Sequence, residues 1–192
     1  MNKTRLEAFS DGVIAIIITI MVLELEVPHD PTWQSYVDKM PVFVSYVLSF
    51  VFVGEYWASH HHLFHKIKKI NTTAIWLNML SLFWLSLIPF ATATMGENNF
   101  KSITVTIFAL ILALCVVSFL LLITQLRLLH GADSEFAASF RGVWKSSITI
   151  GCNLSAAAIS SFGWPKLAFL LLALTAVAWF IPNSKTPFSC KE

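Results

Sequence analysis

The stretch from Arg5 to Leu25 constrains this chain more than any other, because it begins with charged side chains and then stays apolar. Arg5, Glu7 and Asp11 stand at its start, and aliphatic residues follow up to Leu25. As a helix, about twenty such residues extend roughly 30 Å, the thickness of the hydrocarbon core of a bilayer. Ionisable groups in a membrane span are tolerated only when they are paired or hydrated. The stretch therefore predicts a spanning helix, about residues 4–25, whose charged end needs partners.

Apolar runs of similar length recur along all 192 residues. The chain is 56% hydrophobic and only 12% charged, with a mean hydropathy of +0.70. This composition is typical of a multi-pass membrane protein and excludes an ordinary soluble domain. We predict an all-α fold with a single six-helix transmembrane domain over residues 1–192. Five scaffold helices would follow the first span, at about residues 36–62, 72–94, 103–129, 143–162 and 167–181.

The lysines and arginines predict the orientation of the chain in the membrane. If both termini are cytoplasmic and six helices cross the bilayer, ten of the thirteen basic residues lie on the cytoplasmic side. Cytoplasmic loops are enriched in Lys and Arg in this way. The acidic residues Glu24 and Glu26, at the far end of the first helix, would then face outward. They either concentrate cations at an outer mouth or are simply solvated helix-end charges.

Three bulky aliphatic residues of the first span share one helix face. Ile16, Ile20 and Leu23 are spaced at i, i+4 and i+7, and Thr19 lies beside them. Taken alone, such a stripe is typical of a packing surface.

The head of the first span carries a short sequence motif. Arg5-Leu-Glu-Ala-Phe9-Ser10-Asp11 follows the pattern R-x-x-x-F-S-D. On these residues the chain resembles the transmembrane protein 175 family of potassium channels. The resemblance implies a homotetramer in a bacterial-type plasma membrane, with six helices per subunit and the first helix of each lining a central pore. It implies potassium ions as the permeant species, with no cofactor and no nucleic-acid partner.

The same resemblance assigns roles along the first helix. It places the narrowest constriction of the pore at Ile16, with Ile20 and Leu23 further out, and it matches Thr19 to a hydroxyl position beside the constriction. A ring of alkyl groups offers an ion no oxygen to replace lost water, so potassium, which dehydrates more easily than sodium, is favoured. The same ring can gate the pore by dewetting.

The resemblance also implies a hydrogen-bonded network that holds the first helix in place. It would join Arg5, Ser10 and Asp11 to a tryptophan and a histidine near the end of the second long helix. The matching segment is Trp57-Ala-Ser-His60-His61-His62, and the sequence leaves open whether His60 or His61 is the partner. We further expect Gly12 to permit close helix approach.

Three other functions compete with a potassium channel as explanations of this sequence. A proton-conducting channel or ion-coupled transporter would use Asp11 and the nearby histidines, since imidazole titrates near neutral pH. His61 and His65 have i, i+4 metal-ligand spacing, but no cysteine or carboxylate nearby completes a site, so we expect no metal. Ser10 and Asp11, being adjacent on a helix, point about 100° apart and cannot align with one histidine as a catalytic triad. We therefore predict that the protein is not an enzyme.

Overall fold

The computed structural model describes residues 2–131 and 144–179, and every regular element within these ranges is a helix. The predicted all-α class is therefore confirmed. In chain order the helices are α1 (Lys3–Leu23), α2 (Trp33–Asp38), α3 (Met40–Lys66), α4 (Thr72–Ser86), α5 (Ile88–Glu97), α6 (Ser102–His130), α7 (Trp144–Ser161) and α8 (Pro165–Trp179).

Side-chain caps fix where three of these helices begin. The first backbone N–H groups of a helix have no partner within it, and short polar side chains satisfy them. The side chain of Asn2 accepts from Thr4 N at the start of α1, Thr32 accepts from Ser35 N at α2, and Asn71 accepts from Ala74 N at α4. The polar residues between the apolar runs thus act as helix start signals.

Two of the predicted helices are divided near a proline. Proline lacks a backbone N–H, and its ring clashes with the carbonyl four residues earlier. α3 begins at Met40 with Pro41 in its first turn, so the short helix α2 stands where one continuous helix from about residue 36 was predicted. Pro89 likewise separates α4 from α5 at Leu87, inside a run predicted to be one helix.

Within the described residues, four stretches are long and apolar enough to cross a bilayer. They are α1, α3, the combined α4 and α5, and α6. α7, with 18 residues, and α8, with 15, correspond to the two further predicted spans. Residues 143, 180 and 181, at the predicted limits of those spans, lie outside the described part of the chain. The protein is a multi-pass membrane protein, and the count of six crossings stays a prediction.

α6 occupies the centre of the bundle, where it packs against α4, α5, α7 and α8. α1 lies at the side of the bundle and packs against α3, α4 and α5. The buried face of α1 is formed by residues three or four apart, namely Leu6, Ser10, Ile14, Ile17 and Met21. The opposite face of α1, which includes Ile16 and Leu23, is exposed in the described part of the chain, which leaves it available to line a space or a neighbour.

Among the described glycines, the closest helix approach is at Gly96 of α5, not at Gly12. A Cβ atom at Gly96 would lie 2.6 Å from Ser45 Oγ and 2.6 Å from Val42 Cα, both in α3. A Cβ at Gly12 would meet no atom of the described residues within 4 Å, so the expectation for Gly12 is not met among the described residues of one subunit. Small residues at helix contacts are what packing in a bilayer requires, because lipid gives no hydrophobic drive to association.

Candidate functional site

The two faces of α1 differ sharply in exposure. Ile17 and Met21, on the packed face, are only 3% and 1% exposed. Ile16, Ile20 and Leu23 are 58%, 41% and 78% exposed on the opposite face. The structure thus places these three predicted residues together on an uncovered apolar surface that follows the helix axis. Their role in ion passage stays a prediction.

Thr19 lies on the same uncovered side, and its hydroxyl group already donates a hydrogen bond within α1. Its Oγ1 donates to the carbonyl oxygen of Ile16 at 2.8 Å. Because the proton is used in this bond, the remaining lone pairs of Oγ1 present an acceptor to the space in front of α1.

A groove between α1 and α5 begins at this uncovered face. Its lining includes Ile16 and Ile20 of α1, Glu24 directly after α1, and Thr94 and Glu97 of α5. Two carboxylates therefore line one groove. The sequence alone did not suggest Glu97 as a second acidic residue of this groove, since 73 positions separate it from Glu24 in the chain.

The environment of Glu26 differs from that of Glu24. Its carboxylate forms an ion pair with the ammonium group of Lys39, at the end of α2. The hydrogen bond and the positive charge of Lys39 lower the pKa of Glu26 below its usual value of 4.5. Glu24 and Glu26, both predicted at the outer end of the first helix, thus differ in effective charge, because Lys39 compensates the charge of Glu26.

A buried chain of hydrogen bonds fastens α1 to α4 and α3. Ser10, which is fully buried, donates from Oγ to Leu6 O at 2.9 Å and accepts from Asn78 Nδ2 at 2.9 Å. His60 Nε2 lies 2.9 Å from Asn78 Oδ1. His60 is therefore joined to the motif serine through Asn78.

The direction of these bonds follows from the donor inventory. Because the Ser10 proton goes to Leu6, Ser10 can only accept from Asn78, which fixes the amide nitrogen of Asn78 towards Ser10. The amide oxygen of Asn78 then faces His60, so His60 Nε2 must carry a proton and donate. His60 Nδ1 is buried and has no partner among the described residues.

A second, more exposed set of contacts involves the other predicted histidine. Trp57 Nε1 donates to Asp11 Oδ1 at 3.1 Å, and the Trp57 ring stacks on His61 with centroids 5.8 Å apart. His61 Nδ1 lies 3.7 Å from Glu7 Oε1 on α1. Both candidate histidines therefore reach α1, one through Asn78 and one through Glu7 and Trp57.

The motif residues Arg5 and Phe9 stand apart from these contacts. Both are exposed, Phe9 at 51%, and Arg5 makes no hydrogen bond or ion pair with the described residues. Of the predicted network, the structure brings together Ser10, Asp11, Trp57, His60 and His61, and it leaves out Arg5 and Phe9.

Asn78 and Glu7 are the contact residues whose part in these two networks the sequence did not predict. Asn78 is a polar residue within an apolar span, which is a usable signal, but its partners lie 18 and 68 positions away. In the sequence, Glu7 is recognisable only as one of the charged residues at the start of the first span.

The described residues offer no arrangement typical of metal binding or nucleophilic catalysis. They include no group of three or more His, Cys, Asp or Glu side chains that could hold a metal ion. Ser10 and Asp11 point to different partners, and His60 bonds to Asn78 instead of to the Ser10 hydroxyl. The site is one of helix attachment beside an uncovered apolar face.

These features define a helical multi-pass membrane protein whose first helix is fastened at its charged end and uncovered along one face. The family described as "Endosomal/lysosomal potassium channel TMEM175" matches residues 5–89, from the motif to the break at Pro89. A relative from Chryseobacterium, described as a potassium channel, is 40% identical over 192 residues and is covered completely, as is this chain. The chain belongs to the TMEM175 family.

Two further relatives show how far the likeness extends. A crystal structure of a lysosomal potassium-selective channel TMEM175 homolog from Chamaesiphon minutus matches with a TM-score of 0.81 and 25% identity, covering 92% of this chain and 95% of that one. The mouse protein described as an endosomal/lysosomal proton channel is 35% identical over 103 residues, which are 47% of this chain and 21% of the mouse protein.

Proposed function

We propose that this protein is a passive, potassium-selective cation channel, formed by four copies of the chain around a pore lined by α1. Its family and the relatives that match it are ion channels. The full-length Chryseobacterium relative is described as a potassium channel, whereas the mouse proton channel matches this chain over only 21% of its length. Potassium is therefore the better-supported permeant ion.

The observation that carries the proposal is the uncovered apolar face of α1. Ile16, Ile20 and Leu23 are exposed while the other face of the helix packs on the bundle. Four such faces meeting around an axis would enclose a pore whose walls are alkyl groups. Ions would pass with little replacement of lost water, and the smaller dehydration cost of potassium supplies the selectivity.

The hydrogen-bonded cluster would hold the constriction at a fixed position. Ser10 lies six residues before Ile16, less than two helical turns away. The bonds to Asn78 and Trp57 attach this part of α1 to α4 and α3. We assign the cluster a supporting role, with no catalytic activity and no cofactor.

The distribution of lysine and arginine supports cytoplasmic termini. A plasma-membrane location is proposed from the resemblance to bacterial potassium channels. In that orientation the groove carrying Glu24 and Glu97 opens outward. Glu24 is then the stronger attractor of cations at the outer mouth, because Lys39 partly neutralises Glu26.

Reversal potentials of the purified channel in planar bilayers test the proposal. With potassium on one side and sodium on the other, we expect a potential near that of a potassium-selective pore. Ile16→Asn should lower the permeability ratio of potassium to sodium several-fold, because the asparagine amide supplies an oxygen to a dehydrated sodium ion. The reversal potential should then move towards zero. Ile148→Asn on α7, at 53% exposure against 58% for Ile16, is the matched control and should leave the ratio unchanged.

The proton alternative gives a different result in the same bilayers. A current that follows the proton gradient and disappears in Asp11→Asn would contradict the potassium proposal. A potassium-selective current that persists in Asp11→Asn would support it.

A further inference from the structure

A cavity remote from the pore helix lies among α3, α6, α7 and α8. Its volume is about 60 Å³, and no α1 residue lines it. One water molecule needs about 10–15 Å³ of such space, so the cavity has room for a ligand of a few heavy atoms. Its polar lining comprises Glu55, Ser59, Ser146, Thr149, Asn153 and Thr175.

Two polar atoms of the cavity lining are buried without a partner in the described chain. Asn153 is 2% exposed and its Nδ2 makes no hydrogen bond, and Glu55 Oε1 is in the same condition. Buried polar atoms are almost always hydrogen-bonded, and a buried polar atom without a partner destabilises the fold. One unmet donor and one unmet acceptor in a single cavity point to a bound group that satisfies both.

The charge of the lining restricts what that group can be. An ionised Glu55 only accepts hydrogen bonds, and the described residues that line the cavity include no Lys, Arg or His. Thr175 donates its hydroxyl proton to Leu171 O at 2.7 Å, so its oxygen also faces other groups as an acceptor. A buried carboxyl group either takes up a proton or lies beside a positive charge. Since the described lining provides no such charge, a cationic ligand is the group that would hold Glu55 ionised.

The remaining walls are apolar and aromatic. They include Phe52, Tyr56 and Phe119, which suit a carbon skeleton and the edge of an organic cation. A hydrated metal ion would leave these walls without a partner. The lining therefore favours a small organic cation over an inorganic one.

We propose that this cavity binds a 2-aminoalcohol group, the ethanolammonium chemistry found in free amino alcohols and in lipid headgroups. The ammonium donates to Glu55 and to Thr175, and the oxygen of the ligand accepts from Asn153 Nδ2. The two carbons between them lie against the aromatic side chains. The site is a subunit-internal one, so it stands or falls independently of ion conduction through the pore.

Thermal unfolding of the detergent-solubilised protein, titrated with ethanolammonium chloride, tests the site. We expect a saturable rise of the unfolding midpoint, because a ligand that binds only the folded state stabilises it by mass action. Ethylammonium, which lacks the acceptor oxygen, and ethylene glycol, which lacks the charge, should each bind at least tenfold more weakly. Equal stabilisation by ethylene glycol at the same concentration would overturn the proposal.

Two variants test which residue contacts each end of the ligand. Glu55→Gln should abolish the preference for ethanolammonium over ethylene glycol, and Asn153→Leu should abolish the preference over ethylammonium. If either variant fails to fold, Thr175→Val, which keeps the side-chain volume, should still weaken ethanolammonium and leave ethylene glycol unaffected. Unchanged affinities in these variants would contradict the assignment.

Titrations of the protein in lipid nanodiscs distinguish a lipid headgroup from a free amino alcohol as the source of the ligand. If a lipid headgroup occupies the cavity, phosphatidylethanolamine should abolish the effect of added ethanolammonium, whereas phosphatidylcholine should not. If the free amino alcohol is the ligand, both lipids should leave the titration unchanged.

Discussion

Asn78 of α4 donates a hydrogen bond from Nδ2 to Oγ of Ser10 on α1 across 2.9 Å, although 68 positions separate them in the chain. This bond and the one between Asn78 and His60 join three helices through one amide. Both partners are fully buried, so neither can exchange the bond for one to water.

Replacing Asn78 with leucine should destabilise the fold by about 1–3 kcal/mol, because Ser10 and His60 are each left with an unmet polar atom. The free energy of unfolding in mixed micelles measures this. Asn153→Leu makes the same change at a buried asparagine whose Nδ2 has no partner, and it should cost clearly less in ligand-free buffer. Equal losses in the two variants would show that the Asn78 bonds contribute nothing specific.

The close approach of α5 and α3 at Gly96 predicts a second packing effect. Gly96→Ala places a methyl group 2.6 Å from Val42 Cα, a backbone atom that cannot turn aside. Overpacking of this kind costs about 1–3 kcal/mol, which the same unfolding assay resolves. Gly54→Ala on α3, where a Cβ meets nothing within 4 Å, should leave stability unchanged or slightly raised. A loss at Gly54 as large as that at Gly96 would argue against a steric cause.

His130 connects α6 to the segment after α3. Its Nε2 lies 3.1 Å from Lys68 N and 3.2 Å from Lys69 N, both donors, while Nδ1 lies 2.8 Å from Leu126 O. Nε2 must therefore be the acceptor of both bonds. His130→Leu removes this acceptor, so hydrogen-exchange protection of the Lys68 and Lys69 amides should fall in that variant.

His130→Gln is the matched control for that measurement. The glutamine oxygen can still accept hydrogen bonds from the two amides, so their protection should be largely retained. Unchanged protection in His130→Leu would rule out His130 as the group that shields these amides.

The ion pair between Glu26 and Lys39 predicts a change in the outer electrostatics. Since Lys39 lowers the pKa of Glu26, the ion pair contributes to the stability of the fold at pH values above 4.5, the usual pKa of this carboxyl group. This stability is lost as the pH falls through the lowered pKa of Glu26. At pH 7, Lys39→Gln should leave Glu26 negative and uncompensated. Under the proposed channel function, cation conductance at low salt should then rise modestly, because an uncompensated negative charge at the mouth raises the local concentration of cations.

Ionic strength separates this effect from a structural one. The gain in Lys39→Gln should vanish near 1 M salt, where charges are screened beyond about 3 Å. Lys101→Gln removes another exposed lysine, one with no carboxylate partner among the described residues, and should produce no comparable gain. A salt-independent gain would contradict the electrostatic explanation.

The helices and the membrane class follow from the sequence, because apolar runs of spanning length can bury their backbone hydrogen bonds only within a helix. The sequence also placed Ile16, Ile20 and Leu23 on one face, since the 3.6-residue period is a local property. It pointed to the segment from Trp57 to His62 only through family resemblance.

The sequence of α1 is apolar on both faces, so packing of the helix against α3, α4 and α5 selects which face stays uncovered. The tertiary structure also decided that Asn78 joins Ser10 to His60, that Glu7 reaches His61, and that Lys39 compensates Glu26 but not Glu24. These contacts connect residues distant in the chain, and no local periodicity carries information about them. Hydrogen bonds and ion pairs depend on distances of about 3 Å, which are set only when whole helices pack.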